Sequence, residues 1–255
     1  MDAAPPTPVD PARWFVALDR RPDAAVTLFA FPHAGAGATA FADCARRLSP
    51  EVELRARNLP GRQARLREPP RTELEPLVEE LAGHVQASLG DRPYALFGYC
   101  SGALLAFLVA RRLRSAGAPP ARRLLVASYF PPDRVVTVPR LDDMAADEFW
   151  ATIRSLGGMP EALLALDGYR EVFEPALRAD FGLLARYRYS SEAPLDLPLT
   201  AVGGRGDDVL GSAGLAGWAE QTSGEFSLRL LVAGHWLLEQ CPDRLAALLG
   251  HELAG

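Results

Sequence analysis

Apolar residues along this chain follow two rhythms. Apolar-rich runs at Ala24–Phe31, Val52–Ala56, Tyr94–Phe97, Arg123–Phe130, Pro198–Gly203 and Ser227–Val232 read as strands. Continuous rather than alternating apolar character is what strands covered on both faces require. Between and after them, apolar positions at helical spacing predict helices over Thr39–Leu48, Leu74–Leu89, Ala103–Leu113 and Pro242–Leu253. Strands alternating with helices predict an α/β domain with a mostly parallel central sheet and helices on both faces. One region breaks the alternation. From Asp133 to about Tyr189, helical segments at Ala145–Leu156, Leu163–Leu166 and Tyr169–Tyr187 succeed one another without a strand, divided by Gly157-Gly-Met-Pro160. An all-helical insertion at that point predicts a lid, about residues 133–189, within one domain spanning 1–255. Residues 1 to about 12 read as a loose arm.

The run Tyr94–Phe97 leads through Gly98-Tyr99-Cys100-Ser101-Gly102 into a helix. This is the pattern G-x-nucleophile-x-G, in which a strand turns sharply into a helix and exposes its middle residue. A Cβ at either glycine would collide with neighbouring backbone. Cys100 is therefore the expected nucleophile. Centring the motif on Ser101 puts glycines at −3 and +1, where they relieve nothing. The bland alternative is an inert cysteine at a strand end.

Two later strands end in residues that complete such a site. Gly204-Arg-Gly-Asp-Asp208 closes one and Ala233-Gly-His235 the other. Nucleophile, acid and base in that chain order is the order of α/β-hydrolases, and in an open parallel sheet all three strand ends open on one crevice. His235 is the expected base. Asp207 is the preferred acid, with Asp208 kept open. Of the other histidines, His84 reads as structural or surface, His33 as a pocket-lining candidate and His251 as a residue near the C-terminus. The loop Pro32-His-Ala-Gly-Ala-Gly-Ala38 follows the first long strand and offers backbone N–H groups above the sheet, as one half of an oxyanion hole; the Ser101 N–H is the other half. The loop lacks the G-x-G-x-x-G of a dinucleotide site.

Composition narrows the classes. The 255 residues are 49% hydrophobic and 23% charged with net charge −5, enough for one sizeable core. No concentrated Lys/Arg stripe is present, which argues against a nucleic-acid partner. No apolar run of membrane-spanning length and no signal-peptide pattern occur, so a cytoplasmic protein without a membrane partner is expected. Cys44, Cys100 and Cys241 form no CxxC pair, so no metal site, disulfide scaffold or cofactor is expected. Arg57, Arg62, Arg65, Arg67 and Arg71 cluster after one strand. Such a run is either a receiver for phosphate or an acidic partner, or, more commonly, a solvated edge.

The segments Phe31-Pro-His-Ala-Gly35, Pro60-Gly-Arg62, the Cys100 turn, Gly157–Pro160, Arg178-Ala-Asp180, Gly203–Asp207 and Gly234-His235 occur in order over nearly the whole chain. Together they resemble the type II thioesterases that accompany polyketide and nonribosomal peptide synthases. The resemblance implies an α/β-hydrolase whose helical lid opens an acyl chamber to the phosphopantetheine arm of an acyl or peptidyl carrier protein, from which the family removes stalled or wrong acyl groups. It implies Cys100 as nucleophile, His235 as base, Asp207 as acid, and Ala34 with Ser101 as oxyanion N–H donors. The phosphopantetheine belongs to the substrate, so no separate cofactor is implied. The chain departs from the family at Cys100, usually Ser, at Tyr99, usually His, at Ala36, often Gly, and at Asp208, commonly Pro. Moving an acyl group onto a cysteine exchanges one thioester for another, so transfer to a second thiol or an amine stands beside hydrolysis as a possible outcome. A third reading is an inactive carrier-binding module. Phe149, Trp150, Met159, Tyr169, Phe173 and Phe181 are the lid residues expected to set chamber size, each also plausible as plain core.

Overall fold

A computed structural model describes residues 11–134, 140–155, 168–208 and 210–254. The predicted segment Leu163–Leu166, the break Gly157–Pro160 and Met159 lie outside the described residues. Seven strands form one sheet: β1 (Phe15–Ala17), β2 (Val26–Phe31), β3 (Val52–Arg57), β4 (Tyr94–Tyr99), β5 (Leu124–Ala127), β6 (Leu199–Gly204) and β7 (Phe226–Leu231), in the spatial order β1-β3-β2-β4-β5-β6-β7. All neighbours are parallel except β1, which runs antiparallel to β3 at one edge. The apolar-rich runs have the expected cause: every residue of β2, β4, β5 and β6 is buried, whereas β7, at the other edge, is only partly covered.

Helices cover both faces. On one lie α1 (Pro11–Trp14), α3 (Leu74–Ala87) and α4 (Ser101–Ser115), packing Leu77, Leu81, Leu105 and Val109 on Phe29, Leu96 and Val126. On the other lie α2 (Ala42–Arg47) and, at the end of the chain, α9 (Pro242–Leu253), packing Cys44, Leu245 and Leu249 on Leu28, Phe97 and Leu125. The helical region predicted as a lid contains α5 (Ala146–Ser155) and α6 (Tyr169–Arg186), with no strand among its described residues. Its own core joins Phe149, Trp150, Ile153, Leu177, Phe181 and Leu184 to Ala34 and Leu104. Thus Phe149, Trp150 and Phe181 are core of this region, while Tyr169 and Phe173 stack at its margin, ring centroids 4.0 Å apart. Four short strands and α-helices escape the sequence reading: α1, whose first residues lie in the stretch read as a loose arm, β1, α7 (Gly211–Ala216) and α8 (Leu237–Gln240).

The strand order places the site. From β2 the chain moves outward to β3, and from β4 it moves the opposite way to β5. The reversal leaves a crevice at the carboxyl ends of β2 and β4, where open α/β sheets bind ligands. The loop after β2 and the turn after β4 both open on it.

Candidate active site

Cys100 follows β4 with φ 52° and ψ −130°, a backbone state that a side chain tolerates only when the surroundings impose it. The surroundings are two close approaches. A Cβ on Gly98 would lie 2.3 Å from Ala103 Cα, and one on Gly102 would lie 2.1 Å from the Phe31 carbonyl oxygen. The strand-to-helix turn thus has room for glycine alone at both positions. Cys100 remains partly accessible while Ser101 is buried as the first residue of α4. The first N–H groups of a helix have no intrahelical acceptor, and the Ser101 N–H is one of them.

His235 and Asp207 arrive from the neighbouring strand ends. Gly204, the last residue of β6, sits so close to the His235 loop that a Cβ would be 2.1 Å from the Gly234 carbonyl oxygen. This brings the acid and histidine loops into contact. His235 Nδ1 lies 2.9 Å from Asp207 Oδ2, and the other carboxylate oxygen accepts the Leu210 N–H at 3.2 Å. Asp208 is exposed, so of the two candidate acids it is Asp207 that meets the ring. The imidazole also hydrogen-bonds Cys100. Burial pulls the His235 pKa down, but the hydrogen bonds and negative charge of Asp207 and Cys100 outweigh it and raise it to about 10. Sulfur, imidazole and carboxylate therefore form one connected line.

Two hydroxyls that the sequence reading left without a role grip this line from behind. Tyr99 Oη donates to the His235 carbonyl oxygen at 2.9 Å and Ser128 Oγ donates to the same atom at 3.1 Å. Both residues are buried, and Ser128 has a φ of 51°. A Tyr inside a fully buried strand must find a partner for its hydroxyl, and that requirement was the available signal at Tyr99. Gln240 Oε1 accepts the Gly234 N–H at 2.6 Å, tying the histidine loop to α8. His33, partly buried, lies edge-on between Tyr99 and Trp236, at centroid distances of 5.9 and 5.4 Å. His84 stacks on Trp14, as a structural histidine.

The arginine run is a solvated edge only in part: Arg67 is exposed and Arg71 half-buried. Arg57, Arg62 and Arg65 are buried. Arg65 bridges Glu68 and the Asn58 carbonyl and lies over the Trp14 ring. Arg62 pairs with Asp180, and Arg71 with Glu80. The partner of Arg62 lies 118 positions away, invisible to spacing, whereas Arg65 pairs within its own turn. Among the described residues no cluster of His, Cys, Asp and Glu suits a metal ion, and no helix is long and apolar enough to cross a membrane. A cleft of about 860 Å³ between α3, α4 and residues 186–192 is lined by none of Cys100, His235 and Asp207.

With this geometry in place, comparison with known proteins is specific. Residues 26–253 match the model of the thioesterase domain family. The chain is 33% identical over 226 residues to gramicidin S biosynthesis protein GrsT of Aneurinibacillus migulanus, covering 89% of this chain and 88% of that protein. The solved structure of the RedJ thioesterase of the prodiginine pathway in Streptomyces coelicolor superposes with a TM-score of 0.82 at 36% identity, over 98% of this chain and 96% of that one. The type II thioesterase BorB of the borrelidin cluster superposes with a TM-score of 0.85 at 31% identity, over 97% of this chain and all of that one.

Proposed function

Because the chain belongs to the thioesterase domain family, with the α/β-hydrolase fold of its type II members, we propose that it cleaves acyl thioesters carried on the phosphopantetheine arm of an acyl or peptidyl carrier protein, through an acyl-Cys100 intermediate. The observation that carries this reading is the continuous line from Cys100 through His235 to Asp207 at the mouth of the crevice.

In the first half-reaction the Cys100 thiolate attacks the thioester carbon, and the carbonyl electron pair moves to oxygen. The N–H groups of Ala34 and Ser101 receive that oxyanion. When the intermediate collapses, the carbon–sulfur bond to pantetheine breaks and the imidazolium of His235 protonates the departing thiolate. Acylation takes away the hydrogen bond and the electrostatic support that Cys100 gives His235, two of the causes that raise the pKa of the ring. The imidazole is then free to take a proton from water, whose oxygen attacks the acyl carbon, releases the carboxylic acid and restores the thiol. Asp207 holds the ring orientation and supports its charge throughout. The helices α5 and α6 act as the cover of the acyl site.

One observation favours a second outcome of the same site. With sulfur rather than oxygen at residue 100, the intermediate remains a thioester, so its transfer to another carrier thiol is close to thermoneutral.

Intact-mass measurement with an acyl-carrier thioester tests the reading. A transient acyl adduct that turns over to free acid, and that Cys100→Ala abolishes while Ser101→Ala does not, is expected. An adduct that empties only when a second thiol is added establishes transfer. No adduct under any condition, or one that survives Cys100→Ala, overturns the assignment and leaves a carrier-binding module. Iodoacetamide offers a direct check, since burial raises the Cys44 thiol to about 12 and also raises Cys241. Alkylation of the folded protein is expected at Cys100 alone.

A further inference from the structure

Helix α6 reaches across the crevice and touches the loop that presents Ala34. Asp180, buried in α6, accepts the Gly35 N–H on Oδ2 at 2.7 Å. The same carboxylate receives Arg62 in a two-pronged pair, Nη1 to Oδ2 at 2.5 Å and Nη2 to Oδ1 at 3.0 Å. Gly35 itself has φ +74°, and a Cβ there would lie 2.6 Å from the Leu177 side chain, one helical turn before Asp180. Behind the loop, Arg57 donates to the Pro32 carbonyl oxygen at 3.4 Å. The residues on either side of Ala34 are thus held by charged groups that are themselves buried, from β3, the loop after it, and α6.

Burial divides α6. Before Pro175 its residues are exposed or half-buried, while from Ala176 to Ala185 nearly all are buried. The second half therefore belongs to the body of the protein, and it carries Asp180.

We infer that Asp180, fixed by Arg62, is a positioning residue for the oxyanion loop: it holds the Gly35 peptide so that the adjacent Ala34 N–H points at the carbonyl oxygen under attack. This rests on the reading of Ala34 as an oxyanion donor. The physical grounds are those of any preorganised donor. An N–H aimed before the reaction stabilises developing charge without reorganisation at the moment of attack. The Ala34 peptide has no regular secondary structure to fix its direction, since it lies between β2 and the 3-10 turn Ala38–Phe41. Its aim must come from its neighbours. An ionised acceptor makes a shorter and stronger hydrogen bond to Gly35 than a neutral one. Arg62 and Arg57, with the Gly35 N–H, offset the burial of Asp180 and hold its carboxyl below the usual carboxylate range.

The test must separate aim from stability, because removing one partner strands the other's buried charge. Two double variants remove both charges. Arg62→Met with Asp180→Leu takes away the acceptor for Gly35, whereas Arg62→Gln with Asp180→Asn keeps an amide oxygen there. Acylation of Cys100 by an acyl N-acetylcysteamine thioester is followed by intact mass over time. The Met/Leu protein is expected to acylate about 10- to 100-fold more slowly, with KM within about twofold of wild type. Its affinity for a trifluoromethyl ketone, which Cys100 converts to a hemithioketal oxyanion without a leaving group, should fall by the same factor. The Gln/Asn protein is expected to recover most of both. Should the Met/Leu protein not fold, Asp180→Glu keeps the charge for Arg62 while displacing the acceptor, and the same loss is expected of it. Wild-type rates in the variant lacking or displacing the acceptor, or equal losses in both doubles, overturn the inference. A wild-type protein that never acylates at Cys100 overturns instead the reading on which it rests.

Discussion

The turn that carries Cys100 and the helical region proposed as its cover meet at the loop His33–Gly35, yet they are held by opposite means. The turn is fixed by backbone approaching backbone: Gly98 against Ala103, Gly102 against the Phe31 carbonyl. The cover is fixed by side chains. Phe149 and Trp150 pack edge to face, Arg178 lies 4.2 Å over the Phe149 ring, and Glu174 receives both the Trp150 indole N–H and the Arg178 guanidinium. The contrast teaches which insult each region resists. A backbone turn has no tolerance for an added atom. A cover built of large side chains depends on every ring it has.

The largest expected effect is in the cover. Phe149→Ala removes a fully buried ring, for which the usual loss is about 3–5 kcal/mol. Urea unfolding measures it. A loss below about 1 kcal/mol would mean that the cover does not unfold together with the sheet, and the contrast would need restating as one between two independent units. Gly102→Ala inserts a single methyl, and overpacking costs about 1–3 kcal/mol. The upper end is expected, because the Cβ meets the carbonyl oxygens of both Phe31 and Pro32, which cannot rotate away. The same substitution should abolish the acyl-Cys100 adduct. An alanine variant that is both stable and acylated would show that the turn is looser than its backbone contacts imply.

His33, at the seam, makes the comparison sensitive to pH. Burial first, then the charges of Arg57 and His235, lower its pKa from 6.5 to about 4, with Asp180 opposing. Between those values the unfolded chain takes up a proton that the folded chain refuses. This contribution to stability is therefore complete above pH 6.5 and lost as pH falls through 4, by at most about 3 kcal/mol. His235 has the opposite sign. Its raised pKa contributes stability that is complete below 6.5 and lost as pH rises through about 10. A stability profile from pH 4 to 10 should slope down at both ends, and His33→Gln should flatten the acid limb alone. An unchanged acid limb in that variant would remove His33 as its source.

Legibility in the sequence follows the same division. The Cys100 turn was readable because its determinants sit within five consecutive residues, and His235 because a strand ending in Gly-His is equally local. Asp207 against Asp208 was left open, since which carboxylate turns inward depends on the turn that gives Leu210 N–H to Asp207. The strands emerged from their apolar runs, but α1, β1, α7 and α8 are three to six residues long and take shape from tertiary neighbours rather than from any period. The arginine run was misread for a related reason. Arg62 meets Asp180 across 118 positions, and no local pattern announces a partner so distant. The helical region was recognised by its lack of strands, while the way it is fastened to the oxyanion loop was not.

The smallest expected effect bears on whether the turn acts beyond its own backbone. Tyr99 lies in β4 immediately before Cys100, and its hydroxyl crosses to the His235 carbonyl, so a residue of the turn also supports the base. Tyr99→Phe deletes one oxygen and leaves the ring in place against His33. Ser128 still donates to the same carbonyl, so the acceptor is not stranded. A net loss of about 1 kcal/mol in stability follows from one hydrogen bond of this kind. If the bond also sets the imidazole's position, the acylation rate should fall severalfold while substrate binding is unchanged, and adding Ser128→Ala should deepen the loss by more than the sum of the two, because the Leu237 N–H at 3.1 Å is then the one donor left to the carbonyl among those described. Strictly additive effects on both stability and rate would show that the two hydroxyls hold the loop independently. The turn would then be a purely local structure, and the contrast with the cover would stand at its sharpest.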